Sequence, residues 1–561
     1  MPFAITPTCC NDASCVSVCP VNCIHPTPDE PEFGTTEMLY VDPAACIDCG
    51  ACADACPVDA VFPIESLRGP DAEFAVANRL WYEEHPTDHA WSEPEFPRSL
   101  PGDPAREPLR VAVVGAGPAA GYTVRHLLHA TDARITLIDR LPVPGGLLRS
   151  GVAPDHPATK QIGEGFSEIY RHPRVRLALN VEVGRDVSVA ELAETHSAVV
   201  YAFGASADRQ LRVPGEQLAN SLAATDVVGW YNAHPDRTDL TIDLQTERAV
   251  VVGTGNVALD IARVLLADPD ELARTDVSDV ALAALRTSQV REVVLLGRRD
   301  VSTAAFTAGE FAALRAVPGL EIVLDRTGLV DGPPATGPLR DVPVVDIAYD
   351  SPPPAGRRLV LRFGSPVDAL DGGSDRSDST AVSVVRTTGN AATTIPTGLV
   401  IRSIGYTGRA LPGLPFDESA GVVPNELGRV RDPATGATLP GAYVAGWIKR
   451  GPSGGIGTNR ADAAETVHAL LDDAAAGRLP TGRDSAAFHR LLRSRTDVVD
   501  QARARAIDAA ERRAGEAAGR PRVKFVRVEQ MLAVDRPKAV ARAAAGAVTD
   551  RLTGLLSRPS A

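Results

Sequence analysis

The chain has 561 residues, a net charge of −14, 44% hydrophobic residues and 23% charged ones. A single hydrophobic core stops growing at roughly 250–300 residues, so three or four folded units are expected, and the composition is ordinary for a soluble globular protein rather than a fibrous or disordered one. No run reaches the roughly 18–20 apolar residues of a membrane span, and the opening MPFAITPTCC has no basic segment followed by an apolar one, so a cytoplasmic location is expected.

Charge is unevenly spread. Residues 1–60 hold nine Asp or Glu and no Lys or Arg, whereas residues 481–561 hold 17 basic and 9 acidic groups, or +8. An acidic head argues against nucleic acid as its partner, and the basic tail reads either as a solvated helix or as a surface that docks with the head or with another protein. All nine cysteines fall within the first 56 residues. An odd number at short spacings fits metal binding better than a disulfide framework.

Residues 1–63 form the cysteine module. The run CIDCGACADACP places Cys46, Cys49, Cys52 and Cys56 before Pro57 in the order C-x2-C-x2-C-x3-C-P. Closely spaced thiolates in a tight loop wrap one iron–sulfur cubane, while the fourth reaches another cluster; a zinc site would prefer two separated pairs. The same template laid on CCNDASCVSVCPVNC gives Cys9, Asp12, Cys15 and Cys19 before Pro20, with a carboxylate in the second thiolate's place and Cys10 and Cys23 out of register. Oxygen is a poorer ligand than thiolate for such iron, so the Asp12 corner should lose its metal easily or never fill. A second [4Fe-4S] cluster with Asp12 or Cys10 as a labile ligand stays open. The module resembles the seven-iron type of bacterial ferredoxin, which implies a [3Fe-4S] cluster on Cys9, Cys15 and Cys56 and a [4Fe-4S] cluster on Cys19, Cys46, Cys49 and Cys52.

Residues 64–107 read as a Pro- and acid-rich linker with one helical stretch near DAEFAVANRLWYEE, wrapped on a neighbour. From 108 onward, apolar strand-like runs (LRVAVVGAG, RITLIDR, SAVVYAFGA, RAVVVGTG, REVVLLGRR, GAYVAGW) alternate with helical patterns, the signature of α/β architecture. The first run ends in Gly115-x-Gly117-x-x-Ala120 and opens a helix. Gly115 allows a tight turn, Gly117 lets the backbone approach a pyrophosphate, and Asp139 stands where a carboxylate accepts ribose hydroxyls. The motif returns at Gly253, Gly255 and Ala258. There the next strand ends in Arg298 and Arg299, with the acid displaced to Asp300, so two guanidiniums face the position of a 2′-phosphate and NADP(H) is favoured.

The segments LPVPGGLLRSGVAPDHPATK and GAYVAGWIKRGPSGGIGTNRADA resemble the adrenodoxin reductase family of ferredoxin-NADP reductases, over residues 108–530. That resemblance implies FAD contacts from Ala119, Asp139, Leu147, Val183, Trp447, Gly454, Gly455 and Ile456. It also implies NADP contacts from Thr254, Gly255, Asn256, Val257 and Glu310, and a supporting role in hydride transfer for His156. Three departures stand out: Ala313 where the family has a second acid after Glu310, Gly145 in place of an aromatic, and Gly455 in place of a bulkier residue.

The expected fold is an α+β ferredoxin-like domain fused to an α/β reductase of two Rossmann-type domains. FAD would be bound by 108–210 and 400–561, with an NADP domain, 211–399, inserted between them and a basic helical tail at the end. The expected activity is that of a ferredoxin-NADP reductase: NADPH delivers two electrons together, FAD parts them, and the fused clusters relay them to a ferredoxin or a cytochrome P450-type monooxygenase. An electron-input subunit of a larger complex, like the iron–sulfur flavoproteins beside glutamate synthase, and a reductase with a redox-sensing module are the alternatives.

Overall fold

Short strands are what a segment crowded with Cys and Pro can build, and the amino-terminal module has two antiparallel pairs of them, Phe3–Ile5 with Val61–Pro63 and Ile24–His25 with Tyr40–Val41. This computed structural model describes residues 2–87, 108–329, 337–372, 381–389, 392–480 and 485–534, with Gly332 and Pro334. The helix expected in the linker forms at Glu73–Glu84 and packs on the cysteine module. Asn78, 1% exposed, accepts from the amides of Ile5 (3.0 Å) and Val41 (2.8 Å) and donates to Ile5 O (2.8 Å), so one side chain satisfies backbone groups of both strand pairs. The Tyr82 hydroxyl donates to Cys23 O and Tyr40 O beside it. The rest of the expected linker, from residue 88 to 107, lies outside the described residues.

All six strand-like runs from residue 108 onward form strands. Arg110–Val114, Arg134–Asp139, Val175–Leu179, Ala198–Tyr201 and Thr438–Val444 share a seven-stranded sheet completed by Asn425–Glu426 and Arg429–Arg431. Those five strands run parallel, and the central Arg110–Val114 and Ala198–Tyr201 are buried on both faces, which is why they read as unbroken apolar runs. From Arg110–Val114 the chain goes out to Arg134–Asp139 on one side and returns to Ala198–Tyr201 on the other. That reversal is the switch point where open α/β sheets leave a crevice at their carboxyl ends.

A second sheet is inserted between Tyr201 and Thr438. Its seven strands are all parallel, in the order Ser221–Ala223, Leu399–Arg402, Arg248–Val252, Glu292–Leu296, Arg357–Arg362, Leu320–Asp325, Val344–Val345. The outgoing and returning connections pair with each other as a short antiparallel ribbon, Ala207–Asp208 against Tyr406–Thr407.

The carboxy-terminal region straps the two sheet domains together. The expected helical stretch breaks into Ser485–Arg495 and Gln501–Ala517, the latter capped by Asp500, whose side chain accepts from the amides of Ala502 and Arg503. Glu511, fully buried, takes both guanidinium arms of Arg149 (2.5 and 2.8 Å) and one of Arg522 (3.2 Å). Beyond it, Lys524 meets Asp276 of the inserted domain at 2.8 Å, and Arg520 and Arg527 reach Asp279 and Asp239. Other basic groups of the tail turn to the first sheet domain, Arg495 to Glu191 and Arg512 to Glu164, so the tail is ion-paired with both. Its remainder, from residue 535, lies outside the described residues. Among the described residues no helix is long and apolar enough to cross a membrane.

Candidate functional site

At the first switch point, Gly115 has φ +105°, and a Cβ there would fall 2.4 Å from Ala202 O, so only glycine fits the turn. Gly117 caps the helix Pro118–Ala130, and Ala119, buried, lies under Gly446 just ahead of Trp447. Asp139 ends its strand with one oxygen accepting from Ala116 N and the other from Leu141 N, both at 2.8 Å. Burial pushes this carboxyl up, against those two amides, and the lone pairs left over remain available to hydroxyls. Val181 N donates to Asp139 O and brings Val183 to the same end of the sheet, and Gly146 packs against Gly117 and sets Leu147, 40% exposed, at the rim. Trp447 is half-buried, its indole donating to Ser453 O (3.1 Å) and its ring 5.5 Å from Tyr406. Residues expected at the flavin thus come together from both ends of the chain.

At the second turn, Gly255 caps the helix Asn256–Leu266. Thr254 O accepts from Ala305 N and Asn256 Oδ1 from Thr307 N, which ties the turn to the segment bearing Glu310. Arg298 and Arg299 are exposed past the strand Glu292–Leu296, and neither has a carboxylate partner among the described residues. Asp300 is spent as a cap on Ser302 N (3.0 Å), so its charge is committed locally.

His156 and Glu310 meet across the two domains, Nε2 to Oε2, at 3.8 Å. Arg263 sits behind them, bonded to Asp155 (2.6 and 3.1 Å) and Asp260 (2.6 Å) and 3.5 Å from Glu310. Burial, and then the Asp260 charge, raise the Glu310 carboxyl; burial also works against Asp155, but the Arg263 bond and charge outweigh it and hold Asp155 low. His156, Asp260 and Glu310 could each offer a ligand atom within 4.8 Å of the others, yet the guanidinium already balances the carboxylates. Among the described residues, Glu310 Oε2 and Arg263 Nη1 are buried with no hydrogen bond, an acceptor and a donor 3.5 Å apart.

The cysteine module is pressed onto this region. Gly457 N, just past Gly454–Ile456, donates to Cys10 O (2.8 Å), and Arg460 donates to Asp12 O (2.7 Å) and Ser14 Oγ (3.0 Å). Gly457 has helical φ and ψ of −65° and −34°, so its lack of a side chain answers a close approach: a Cβ would lie 2.1 Å from Cys10 O and 2.3 Å from Asp12 N. On the inserted domain, Glu37 accepts from Ala308 N (2.8 Å), and a Cβ on Gly309 would lie 2.1 Å from the Cβ of Pro7.

The sulfurs fall into two sets. Cys9, Cys15 and Cys56 are near enough to feel one another's charge, with Asp12 and Cys10 beside them. Cys19, Cys46 and Cys52 form the other set, and Cys49 stands exposed in the same loop. Cys10 and Cys23, out of register in the sequence, each adjoin a set; Cys23 Sγ lies 3.4 Å from Cys19 Sγ. Burial pushes the thiols of Cys9 and Cys52 up to about 11, whereas the Cys23 thiol donating to Cys19 holds that one at about 5. Buried thiols packed together suit a metal that displaces their protons, so the donor set fits iron–sulfur clusters. The Asp12 carboxylate is already engaged, accepting from Ser14 N (3.1 Å) and Ser14 Oγ and lying 3.9 Å from Arg460.

Asp260, Arg263, Gly457 and Arg460 carry no sequence signature. Asp260 and Arg263 are three apart on a helix, a spacing shared by any surface ion pair, and Gly457 is one of several glycines in a rich loop.

Residues 109–304 match the pyridine nucleotide-disulphide oxidoreductase family, and residues 8–60 match the 4Fe-4S dicluster domain family. The chain is 46% identical over 553 residues to a Mycobacterium tuberculosis protein described as a probable ferredoxin/ferredoxin–NADP reductase, covering 95% of each chain. A Mycobacterium leprae protein of the same description is 45% identical over 548 residues, covering 95% of this chain and 98% of its own. The solved structure of Mycobacterium tuberculosis FprA in complex with NADPH matches with a TM-score of 0.68 and 38% identity, over 76% of this chain and 99% of that one.

Proposed function

Because the chain belongs to the ferredoxin/ferredoxin–NADP reductase family, we propose that it takes electron pairs from NADPH at the two-domain site and passes them singly through its own cysteine module to a ferredoxin or cytochrome P450-type acceptor. The chain is an oxidoreductase with an iron–sulfur domain fused to an FAD/NADP reductase fold. The observation that carries the relay is the Gly457–Cys10 bond: the loop expected to cover the flavin touches the loop expected to hold the first cluster.

Flavin, when bound, accepts two electrons at once from a nicotinamide and releases them one by one, and iron–sulfur clusters accept them in that form. What this chain supplies is placement. Gly115, Gly117, Ala119 and Asp139 would hold the pyrophosphate and ribose of FAD, and Leu147, Val183, Trp447 and Gly454–Ile456 would close over it. Thr254–Val257 would hold the pyrophosphate of NADP, with Arg298 and Arg299 on its 2′-phosphate, an assignment helped by their freedom from carboxylate partners among the described residues. Glu310 Oε2 and Arg263 Nη1, 3.5 Å apart and without a hydrogen bond among the described residues, suit a carboxamide, which has one group to donate and one to accept. His156, 3.8 Å from Glu310, would pack at the same face.

For the module, the two sulfur sets support a cluster on Cys9, Cys15 and Cys56 and another on Cys19, Cys46, Cys49 and Cys52. Engagement of Asp12 by Ser14 and Arg460 favours a first cluster with three thiolates and no fourth iron, hence seven irons per chain. Anaerobically prepared protein should give seven irons and a [3Fe-4S] EPR signal; eight irons with two [4Fe-4S] signals would remove that assignment. Anaerobic titration with NADPH should bleach the flavin bands and then the iron–sulfur absorbance, and bleaching confined to flavin would refute the relay.

A further inference from the structure

Beneath the strap helix Gln501–Ala517, between it, the helix Pro157–Tyr170 and the loop that carries Leu147, lies a cavity of about 150 Å³. Its inner wall is apolar and made by Val143, Leu148, Phe166, Tyr170, Leu177 and Ala504, all buried. Gly145, one of the departures noted above, forms part of the wall and brings no side chain to fill the space. A void of this size between packed side chains has room for one aromatic ring. Gly115, Asp139, Val183 and Trp447 are not among its walls, so it is distinct from the place expected for the flavin. The remaining walls are charged, and the charges do not cancel. Glu164 is paired with Arg512, Asp508 with Arg512 and Arg522, and Asp276 with Lys160 and Lys524. Glu511 answers Arg149 and Arg522 from behind. Arg171 and Arg505 also line the cavity, both exposed at its mouth, and neither has a carboxylate partner among the described residues. Arg505 Nε donates to Gln501 O (3.3 Å) of its own helix, which leaves its two terminal nitrogens to face outward.

We propose that this cavity is a binding site for a small aromatic carboxylate, its ring under the strap and its carboxylate held at the mouth by Arg171 and Arg505. An apolar pocket with a few convergent polar groups at one end is the ordinary form of a small-molecule site. A guanidinium offers a carboxylate two parallel N–H groups, and removal of the ring from water adds to that attraction. A neutral ring leaves the guanidiniums unused, and a simple anion leaves the apolar wall uncovered. A ligand seated there touches the strap, the loop of Leu147 and the helix that starts beside His156 at once, so it stabilises the folded chain by holding the three together.

The test is isothermal titration of the full-length chain, loaded with flavin and clusters. The probes are benzoate, benzamide with the same ring and no charge, and acetate with the charge and no ring. Benzoate should bind at a single site, about tenfold more tightly than benzamide or acetate, and should raise the thermal unfolding midpoint as its concentration rises. Arg171→Ala with Arg505→Ala should bring benzoate down to the level of benzamide, a loss of about tenfold, with benzamide binding and the NADPH–ferricyanide rate unchanged. Ser167→Phe, which puts a ring into the cavity from a half-buried position on its helix, should abolish binding of both. Absence of benzoate binding would overturn the site. So would binding that NADP displaces, that is no tighter than acetate, or that survives loss of the two arginines unchanged. No turnover enters the measurement, so its failure and the failure of the relay are separate results.

Discussion

Arg298 and Arg299 end a buried strand as two exposed guanidiniums with Asp300 turned away into a cap. Charge-assisted hydrogen bonds are worth about 1.5–3 kcal/mol each, so Arg298→Ala or Arg299→Ala should raise KM for NADPH roughly 10- to 100-fold and leave that for NADH nearly unchanged. Steady-state kinetics with both cofactors checks this, and a parallel loss with NADH would place the pair elsewhere. Their place at the end of that strand was legible because the fingerprint fixes its distance from a turn. Arg263 was not: its importance comes from meeting Asp155, Asp260 and Glu310, residues far apart in the chain. Arg263→Met would leave the Glu310 carboxylate buried without a cation, and kcat with NADPH should fall at least tenfold with the flavin spectrum intact. Normal turnover in that variant would show that the cluster only holds the domains together.

The strap at Gln501–Ala517 lies in the basic tail that reads as helical, and the sequence shows that it is helical but not what it holds. Its partners lie hundreds of residues away, so no local pattern encodes them. Glu511 answers two guanidiniums in a fully buried place, and Glu511→Ala should cost about 3–5 kcal/mol by leaving Arg149 unpaired in the interior. Thermal unfolding measures that loss, and a change under 1 kcal/mol would mean the strap is dispensable. Acid should loosen it as well. Burial would raise the Asp276 carboxyl, but Lys524 and Lys160 outweigh burial and hold it at about 2. A carboxyl held below its ordinary value of about 4 stabilises the fold above that pH and ceases to do so as pH falls towards 2, a contribution of about 2 kcal/mol. Asp276→Asn should remove this part of the acid dependence, read as a flatter stability curve between about pH 4 and pH 2.

At the scale of the whole molecule, the fold class was open to reading because each part announces itself locally: cysteine spacing for the module, and two glycine turns with their strands for the sheets. Parallel strands buried on both faces and helices with one apolar side leave little ambiguity. How the module meets the reductase was closed to such reading, since the joint is made by backbone atoms and by missing side chains. Gly457 and Gly309 leave room for Cys10 and Pro7, and glycine in a loop has many commoner reasons to be there. The joint makes the molecule one device rather than two tethered ones, because it sets the first sulfur loop directly on the residues expected around the flavin.

In the proposed relay electrons leave the reductase body for the module at the Gly457–Cys10 contact, and stopped-flow absorbance of the loaded full-length chain mixed anaerobically with NADPH follows that transfer. The backbone at Gly457 accepts alanine, so Gly457→Ala acts through its clash with Cys10 and Asp12. Flavin bleaching should run at the same rate in parent and variant, while the following loss of iron–sulfur absorbance should slow at least tenfold in the variant. Equal second phases in the two proteins would mean that electrons do not cross at Gly457 and Cys10.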